Sequence, residues 1–321
     1  MSAFPHFTSL YAEGHGPIRA ARLGGLTRLH ALIGPNDSGK SKTLEALKAA
    51  SLFPLQTKPP SDYLAATKGN LTMSYRVREG WQWIVAGQAV DRLPEGTHEN
   101  WASARTLRLD PDHLRAPLPL LTDSQPLQFA NDRGQGLGAL LDAVFARSKK
   151  NYLEIEKSFI ALFPTVEEFS LSTTSEGRRI GVKLRNGPIV GPEHMSEGML
   201  YFLAFALVPY LAPTSLLLIE EPENGLHPAR IGVVMKVLRE ISKTTQVVLA
   251  THSPLVVNEL QPDEVTLVTR TEAEGTKFTP IASTPNFAKR SSVYALGELW
   301  LSYADGISEA PLFESKATGT K

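Results

Sequence analysis

The chain has 321 residues, of which 42% are hydrophobic and 21% charged, a balance that excludes a disordered, collagen-like or membrane-bundle protein. Its 33 Lys and Arg side chains equal its 33 Asp and Glu side chains. The chain therefore lacks the net positive charge that would indicate nucleic-acid binding, and it also lacks a net negative charge that would repel nucleic acid. Because cysteine is absent, disulfides, thiolate catalysis and cysteine-ligated metal sites are excluded. The lack of cysteine and of a signal-peptide pattern at the amino terminus predicts a cytoplasmic protein.

The segment "ALIGPNDSGKSKTLEAL", residues 31–47, is typical of a phosphate-binding loop between a buried strand and a helix. In such loops, backbone N–H groups and the helix N-terminus face the β-phosphate, the lysine bridges the β- and γ-phosphates, and the hydroxyl holds Mg²⁺. Lys40 and Ser41 take these two positions here. The predicted nucleotide-binding residues are Gly34, Pro35, Asn36, Asp37, Ser38, Gly39, Lys40, Ser41 and Lys42.

The middle of the chain, residues 51–164, is rich in proline and polar clusters and predicts only short strands such as "LTMSYRV" and "WQWIVAG". Helical spacing over residues 136–163 predicts one or two helices. The Asn186-Gly187 pair in "RRIGVKLRNGPIV" predicts a hairpin. The most apolar window, residues 199–213, is too short to span a membrane and contains Pro209, so it predicts a buried core helix and no membrane insertion.

Further along, short apolar strands alternate with helices, which predicts an α/β protein with a parallel sheet covered on both faces. The predicted strands are "SLLLIE", "QVVLAT" and "EVTLVTR". The helix after Pro228 places five apolar residues on one face, namely Ile231, Val234, Met235, Leu238 and Ile241.

Candidate catalytic side chains stand at the carboxyl ends of two of these strands, where ligands bind in open α/β sheets. Glu220 and Glu221 end the first, and alternation directs one carboxylate to the Mg²⁺ shell and the other to the water that attacks the γ-phosphate. His252 ends the next strand in "ATHSP" and is suited to hydrogen-bond the γ-phosphate or that water, the alternative being a packed polar residue. For His227 the sequence leaves two roles open, a contact with another subunit or a part in the structure of the loop.

Ser196 begins a strongly apolar helix, where it is a good N-cap whatever else it does. The order of P-loop, Ser-x-Gly helix, strand with tandem carboxylates and strand ending in histidine resembles the ABC-type ATPase heads of the RecF, SMC and OLD-nuclease branch. The segments "IEEPENGLHP" and "ATHSP" are similar to those of its stand-alone, AAA-like bacterial ATPases. The resemblance implies an ABC-type P-loop NTPase fold, a mixed sheet with helices on both faces and an inserted helical and β lobe.

The resemblance also implies a head-to-tail homodimer that encloses two ATP molecules and Mg²⁺. It implies Glu221 as catalytic base, Glu220 with Ser41 on the magnesium side, and His252 as switch histidine. The signature residues Ser196, Glu197 and Gly198 would contact ATP bound by the partner copy. The segment Asn224, Gly225 and Leu226 would face that copy.

The sequence departs from this family pattern at three points. Glu220 stands where ABC proteins generally have aspartate, which lengthens the side chain and keeps its charge. The signature reads "MSEGM" and differs from the "LSGGQ" of transporters. The Q-loop glutamine is not assigned, with Gln82, Gln88 and Gln128 as candidates.

The predicted organisation is one discontinuous ATPase domain covering residues 1–321. Lobe I covers about 1–50 and 190–290, lobe II about 51–190, and a C-terminal helical extension and tail covers 291–321. The interval from Ser41 to Ser196 is too short for coiled-coil arms, and the segment after His252 is too short for a TOPRIM domain. The apolar residues of the extension either pack on the protein's own core or bind a partner: Tyr294, Leu296, Leu299, Trp300 and Leu301.

The predicted function is ATP binding and hydrolysis that drives dimerisation and thereby regulates DNA or an effector protein, in DNA repair or phage defence. A slowly hydrolysing, nucleotide-dependent switch or scaffold is the alternative, and Glu221 argues against it because a pure switch needs no catalytic base. The nucleotide-binding subunit of a transporter is disfavoured by "ATHSP", the divergent signature and the long middle segment.

Overall fold

The computed structural model describes residues 6–51, 63–68, 71–76, 80–85, 88–90, 103–285 and 287–304. The chain divides into two compact units. The first comprises Met1–Ala104, Ser215–Glu221 and Ser242–Lys321, and the second comprises Arg105–Thr214 and Pro222–Ile241. The lobe boundaries stated above remain a prediction about functional domains, and the tail beyond residue 304 lies outside the described residues.

The described residues form strands and helices in the following order. The strands are β1 Phe7–His15, β2 Ile18–Gly24, β3 Leu29–Ile33, β4 Tyr63–Lys68, β5 Leu71–Arg76, β6 Gly80–Val85, β7 Gln88–Val90, β8 Ala104–Leu107, β9 Val166–Thr174, β10 Gly177–Leu184, β11 Ile189–Val190, β12 Leu216–Glu220, β13 Gln246–Thr251, β14 Val265–Thr271 and β15 Gly275–Pro280. The α-helices are α1 Lys40–Ser51, α2 Pro111–Arg115, α3 Leu137–Arg147, α4 Lys149–Leu162, α5 Glu197–Leu207, α6 Pro228–Ile241, α7 Pro254–Asn258, α8 Phe287–Ser291 and α9 Leu296–Ala304. Short 3₁₀ helices cover Val208–Tyr210, Pro262–Glu264 and Ile281–Ser283.

The sheet that carries the phosphate loop has the strand order β15-β14-β3-β13-β12-β8. Strands β14, β3, β13 and β12 are parallel, and β15 pairs antiparallel with β14, so the sheet is mixed. Every residue of β3 and β13 is buried, as expected for strands covered on both faces. The predicted α/β fold with a mixed sheet is therefore confirmed.

A second six-stranded sheet in the first unit is antiparallel, with the order β2-β1-β4-β5-β6-β7. The predicted strands in "LTMSYRV" and "WQWIVAG" are its members β5 and β6. The buried Gln246 side chain fixes the start of β1: its Oε1 accepts from the N–H of Phe7 at 2.9 Å, and its Nε2 donates to the carbonyls of Phe7 and Thr27 at 2.8 and 3.0 Å. A buried amide is stable here because its polar atoms are paired.

The second unit contains the three-stranded antiparallel sheet β11-β10-β9. Val182 in β10 pairs with Val190 in β11 around the Asn186-Gly187 turn, so the predicted hairpin is confirmed. The predicted helical stretch forms α3 and α4, because Ser148 is extended, ends α3 and caps α4 by accepting from the N–H of Asn151. An aromatic cluster packs here, with ring centroids 4.6 to 6.2 Å apart, and consists of Phe159, Phe163, Phe169 and Phe202.

The apolar window at residues 199–213 lies mainly in α5, where residues 200–207 are all buried, so the predicted core helix is confirmed. Helix α6 buries all five residues that were predicted to share one face. Among the residues that the structure describes, no helix is both long enough and apolar enough to cross a membrane.

Buried His30 in β3 should make the stability of the protein depend on pH. Its Nε2 lies 2.9 Å from Thr266 Oγ1 and its Nδ1 lies 3.2 Å from Thr27 Oγ1, and burial lowers the pKa of the imidazole from 6.5 to about 4. Between these two values the unfolded chain binds a proton that the native protein does not bind. The free energy of unfolding should therefore decrease by up to roughly 3 kcal/mol as pH falls from 6.5 to 4, and should show no such loss above 6.5.

Urea denaturation followed by circular dichroism at pH 7.5 and pH 5 measures this dependence. His30→Gln should give a smaller difference between the two pH values than wild type, whatever its stability at pH 7.5. Equal differences for both proteins would show that His30 is not responsible.

Candidate functional site

The loop between β3 and α1 has the backbone shape of an anion-binding turn. Asp37 has φ of 61° and Gly39 has φ of 108°, both in the left-handed region. The N–H of Thr43 donates to the carbonyl of Gly39 at 2.9 Å, so regular helix bonding begins directly after the loop. Alternating backbone handedness at a helix N-terminus turns successive N–H groups toward one point, which suits a phosphate group.

The β14–β15 hairpin supports this loop from a distant part of the sequence. Arg270 Nη1 donates to the carbonyl of Asp37 at 3.3 Å, and Thr276 Oγ1 donates to the carbonyl of Ser38 at 2.9 Å. These contacts orient two peptide units of the loop before any ligand binds. The loop pattern itself did not reveal these two residues, because they lie more than 230 positions away along the chain.

The loop opens onto a cavity of about 610 Å³, lined by residues 36–42 with Pro17, Glu220, Glu221, Ala250 and Arg270. Lys40 is buried, and its Nζ donates to the carbonyls of Gly34 and Pro35 at 2.7 and 2.8 Å. Ser38 Oγ is buried without a hydrogen-bond partner among the described residues. A loop with an unpaired hydroxyl and a lysine beside a cavity of this size fits a nucleotide phosphate.

Close packing explains why glycine is required at two positions of the loop. A Cβ on Gly34 would lie 2.1 Å from the carbonyl oxygen of Val268, and a Cβ on Gly39 would lie 2.4 Å from Thr276 Oγ1. Gly39 also has a backbone conformation that favours glycine. Strand β14 at Gly34 and strand β15 at Gly39, the two strands of the same hairpin, thus exclude side chains from these positions.

A hydroxyl and a carboxylate meet at the start of α1. Ser41 Oγ donates to Glu220 Oε2 at 3.0 Å, which joins the helix to the end of β12. Both groups supply oxygen atoms, which are the ligand atoms that Mg²⁺ prefers. This metal commonly binds through one or two protein groups together with substrate phosphates and water. The residues present therefore fit Mg²⁺ that is bound together with a nucleotide. Among the described residues, no cluster of three or more acidic or histidine side chains could hold a metal ion by itself.

Glu221 adopts a left-handed backbone conformation, with φ of 47°, directly after β12. Its N–H donates to the carbonyl of Ala250 at 2.8 Å, and its Oε1 lies 3.4 Å from Nδ1 of His252. Such a conformation costs a non-glycine residue on the order of 1–3 kcal/mol, and residues of this kind cluster at active sites. The adjacent carboxylates thus have different neighbours: Glu220 contacts Ser41, and Glu221 faces His252.

The predicted signature residues Ser196, Glu197 and Gly198 belong to the second unit. Ser196 Oγ accepts from the N–H of Met199 at 3.3 Å, so the predicted N-cap is present. A Cβ on Gly198 would lie 3.0 Å from the carbonyl oxygen of Gly225, and Gly225, with φ of 67°, packs against Tyr201. The first turn of α5 and the loop at residues 222–228 therefore form one continuous surface.

The remaining candidates are His227 and the three glutamines considered for the Q-loop. His227 Nδ1 accepts from the N–H of Ala229 at 3.2 Å, which is the loop-structure alternative. Gln128 lies exposed in the second unit. The side chains of Gln82 and Gln88 lie outside the described residues, so the Q-loop glutamine stays unassigned.

The C-terminal extension belongs to the first unit and is partly buried there. Leu299 and Trp300 are buried, at 1% and 5% exposure, whereas Tyr294 and Leu301 are about half exposed, at 52% and 45%. Core packing therefore accounts for the first two residues, and the partner-binding alternative remains open for the other two.

Comparison of the sequence with known protein families identifies a family for this chain. A family model described as "AAA domain, putative AbiEii toxin, Type IV TA system" matches residues 90–258, just over half of the chain. This range includes Ser196, both glutamates and His252 but not the phosphate loop. No curated protein sequence matches the chain.

Solved SMC head domains share the fold. A head bound to the C-winged helix domain of ScpA is 16% identical, with a TM-score of 0.58, and the match covers 86% of this chain and 98% of that one. A head with an extended coiled coil, bound to the C-terminal domain of ScpA and derived from Pyrococcus furiosus, is 14% identical, with a TM-score of 0.53 and coverage of 86% and 96%. The predicted resemblance to ABC- and SMC-type ATPase heads is confirmed at the level of fold. The chain belongs to the AAA-domain family named above and has the P-loop NTPase fold of an SMC-type ATPase head.

Proposed function

We propose that this protein binds ATP with Mg²⁺ at residues 34–42 and hydrolyses it. The observation that carries the proposal is that the phosphate loop, the Ser41–Glu220 pair and Glu221 surround one cavity of about 610 Å³. Phosphoryl transfer depends mainly on positioning and electrostatics, and these are the groups that it uses.

Each residue has a distinct role in the proposed reaction. Lys40 leaves the carbonyls of Gly34 and Pro35 and binds the β- and γ-phosphates. Ser41 and Glu220 would hold Mg²⁺, which would neutralise charge on the phosphate oxygens. Glu221 accepts a proton from the attacking water, and His252 donates a hydrogen bond to the γ-phosphate.

The proposal includes a head-to-tail homodimer in which Ser196, Glu197 and Gly198 of one copy contact ATP held by the other. The close approach of Gly198 to Gly225 supports this arrangement. It places side by side the two segments, residues 196–198 and 224–226, that the family resemblance implies face the partner copy. A two-fold axis would then create two equivalent composite sites.

Complementation between two inactive variants tests this composite site. Lys40→Ala removes the phosphate contact, and Ser196→Arg blocks the signature surface, so each alone should release little phosphate from ATP. In a composite site, a one-to-one mixture should recover about a quarter of the wild-type rate, because half of the dimers are mixed and each has one intact site.

The outcomes of this experiment separate the alternatives. A mixture that recovers nothing, although each variant is folded by circular dichroism, contradicts the head-to-tail site. A wild type that changes mass with Mg-ATP by light scattering but releases no phosphate favours the nucleotide-dependent switch.

We further propose that dimerisation regulates a partner, and that this partner is a protein. The balanced charge of the chain supports this choice over DNA, and the compared SMC heads are described as bound to domains of ScpA. If DNA is the partner instead, duplex DNA should stimulate phosphate release, and the stimulation should decrease steeply as salt is raised.

A further inference from the structure

Helix α9 contacts both ends of the segment that follows β13. Trp300 Nε1 donates to the carbonyl of His252 at 3.0 Å, and the N–H of Gly297 donates to Asn258 Oδ1 at 2.7 Å. Trp300 is 5% exposed, so the donor side of this hydrogen bond is buried, although His252 itself is exposed. The segment from His252 to Asn258, which includes α7, is therefore tied to α9 at its first and last residues.

The approach of α9 to this segment is close enough to exclude a side chain. A Cβ on Gly297 would lie 2.2 Å from the carbonyl oxygen of Pro254 and 2.8 Å from Asn258 Oδ1. The backbones of the two helices are thus in direct contact. Any rearrangement of residues 252–258 must either move α9 as well or break this contact.

The hydrogen bond from Trp300 acts on the backbone of the residue whose side chain faces Glu221. The His252 imidazole lies 3.4 Å from Glu221, while its carbonyl accepts from the indole. On the other side, the N–H of Ser253 donates to Thr251 Oγ1 at 2.9 Å, which further restrains this peptide. The preceding residue, Thr251, is held in β13, so the backbone is restrained on both sides of the His252 Cα, and this restricts the direction of its Cα–Cβ bond.

We propose that Trp300 is a positioning residue that orients His252 toward Glu221 and the γ-phosphate. The catalytic consequence of this inference rests on the proposed ATPase function. The contact between Trp300 and His252 is present whether or not the protein hydrolyses ATP. Helix α9 thereby becomes part of the active-site support.

Trp300→Phe tests the inference, because it keeps an aromatic ring and removes the N–H donor. The matched control is Leu299→Ala, which changes a neighbouring residue that is 1% exposed on the same helix. Trp300→Phe should lower kcat for ATP about threefold to tenfold, the effect of one hydrogen bond, and leave KM unchanged. Leu299→Ala should lower the urea midpoint without this decrease in kcat.

A second readout does not depend on turnover. In protein labelled with ¹⁵N-histidine, the imidazole ¹⁵N signals of His252, assigned by their loss in His252→Gln, report its tautomer and hydrogen bonding. They should shift in Trp300→Phe and not in Leu299→Ala. Unchanged signals in Trp300→Phe, or an equal shift in Leu299→Ala, would overturn the inference. Absence of ATP turnover in wild type would contradict the proposed function instead, and the ¹⁵N signals would still decide whether Trp300 positions His252.

Discussion

Replacing Glu221 with glutamine should lower the rate of ATP hydrolysis by ~10²–10⁴-fold, the usual contribution of a general base. Glutamine keeps the length and shape of the side chain but does not accept a proton from water. Because both residues have a Cβ, the left-handed backbone at this position should be equally costly in the two proteins. The free energy of unfolding should therefore change little, and ATP-dependent dimerisation should persist.

Phosphate release and light scattering with Mg-ATP check this result on the same samples. Glu176→Gln is a suitable control, since Glu176 is exposed in the turn between β9 and β10 and the exchange removes the same charge. Turnover by Glu221→Gln at the wild-type rate would assign the base to another residue. Loss of dimerisation together with turnover would give Glu221 a role in binding instead.

Gly34→Ala should both destabilise the protein and abolish ATP binding. The new methyl group would lie 2.1 Å from the carbonyl oxygen of Val268 in β14, a backbone atom that cannot turn aside. Either the phosphate loop or the strand must move, and overpacking of this kind costs about 1–3 kcal/mol. A loop displaced from its contacts with Arg270 and Thr276 would no longer direct its N–H groups at a phosphate.

Gly24→Ala provides the matched control, because a Cβ at Gly24 would meet nothing within 4 Å. Urea midpoints and equilibrium binding of a fluorescent ATP analogue should show a large loss for Gly34→Ala and little change for Gly24→Ala. Similar behaviour of the two variants would mean that the loop tolerates the extra methyl group and that the contact with Val268 does not fix its shape.

The core of the fold was predictable because its strands are apolar on both faces and short. In β3 and β13 every residue is buried and most are apolar, and such nearly continuous apolar runs indicate strands of a covered parallel sheet. Helix α6 was predictable for a related reason, since its apolar residues repeat with helical spacing. The middle segment, residues 51–164, was harder to interpret because proline and polar clusters separate its short strands and interrupt any periodic pattern.

Parts of the candidate site escaped sequence reasoning for a physical reason. The contacts of Arg270 and Thr276 with the phosphate loop depend on sheet order, which brings together residues far apart in the chain. The left-handed backbone of Glu221 has no sequence signal, because glutamate seldom adopts it. The roles of Glu220, Glu221, His252 and Ser196 stay predictions until the variants above are measured.

The backbone of Glu221 has a consequence for laboratory evolution of this protein. Glycine would relax the left-handed conformation, so Glu221→Gly should gain backbone stability that Glu221→Ala does not. A library selected only for heat resistance should therefore enrich glycine at position 221 at the expense of turnover. A library selected for turnover should retain glutamate and acquire its compensating stability elsewhere.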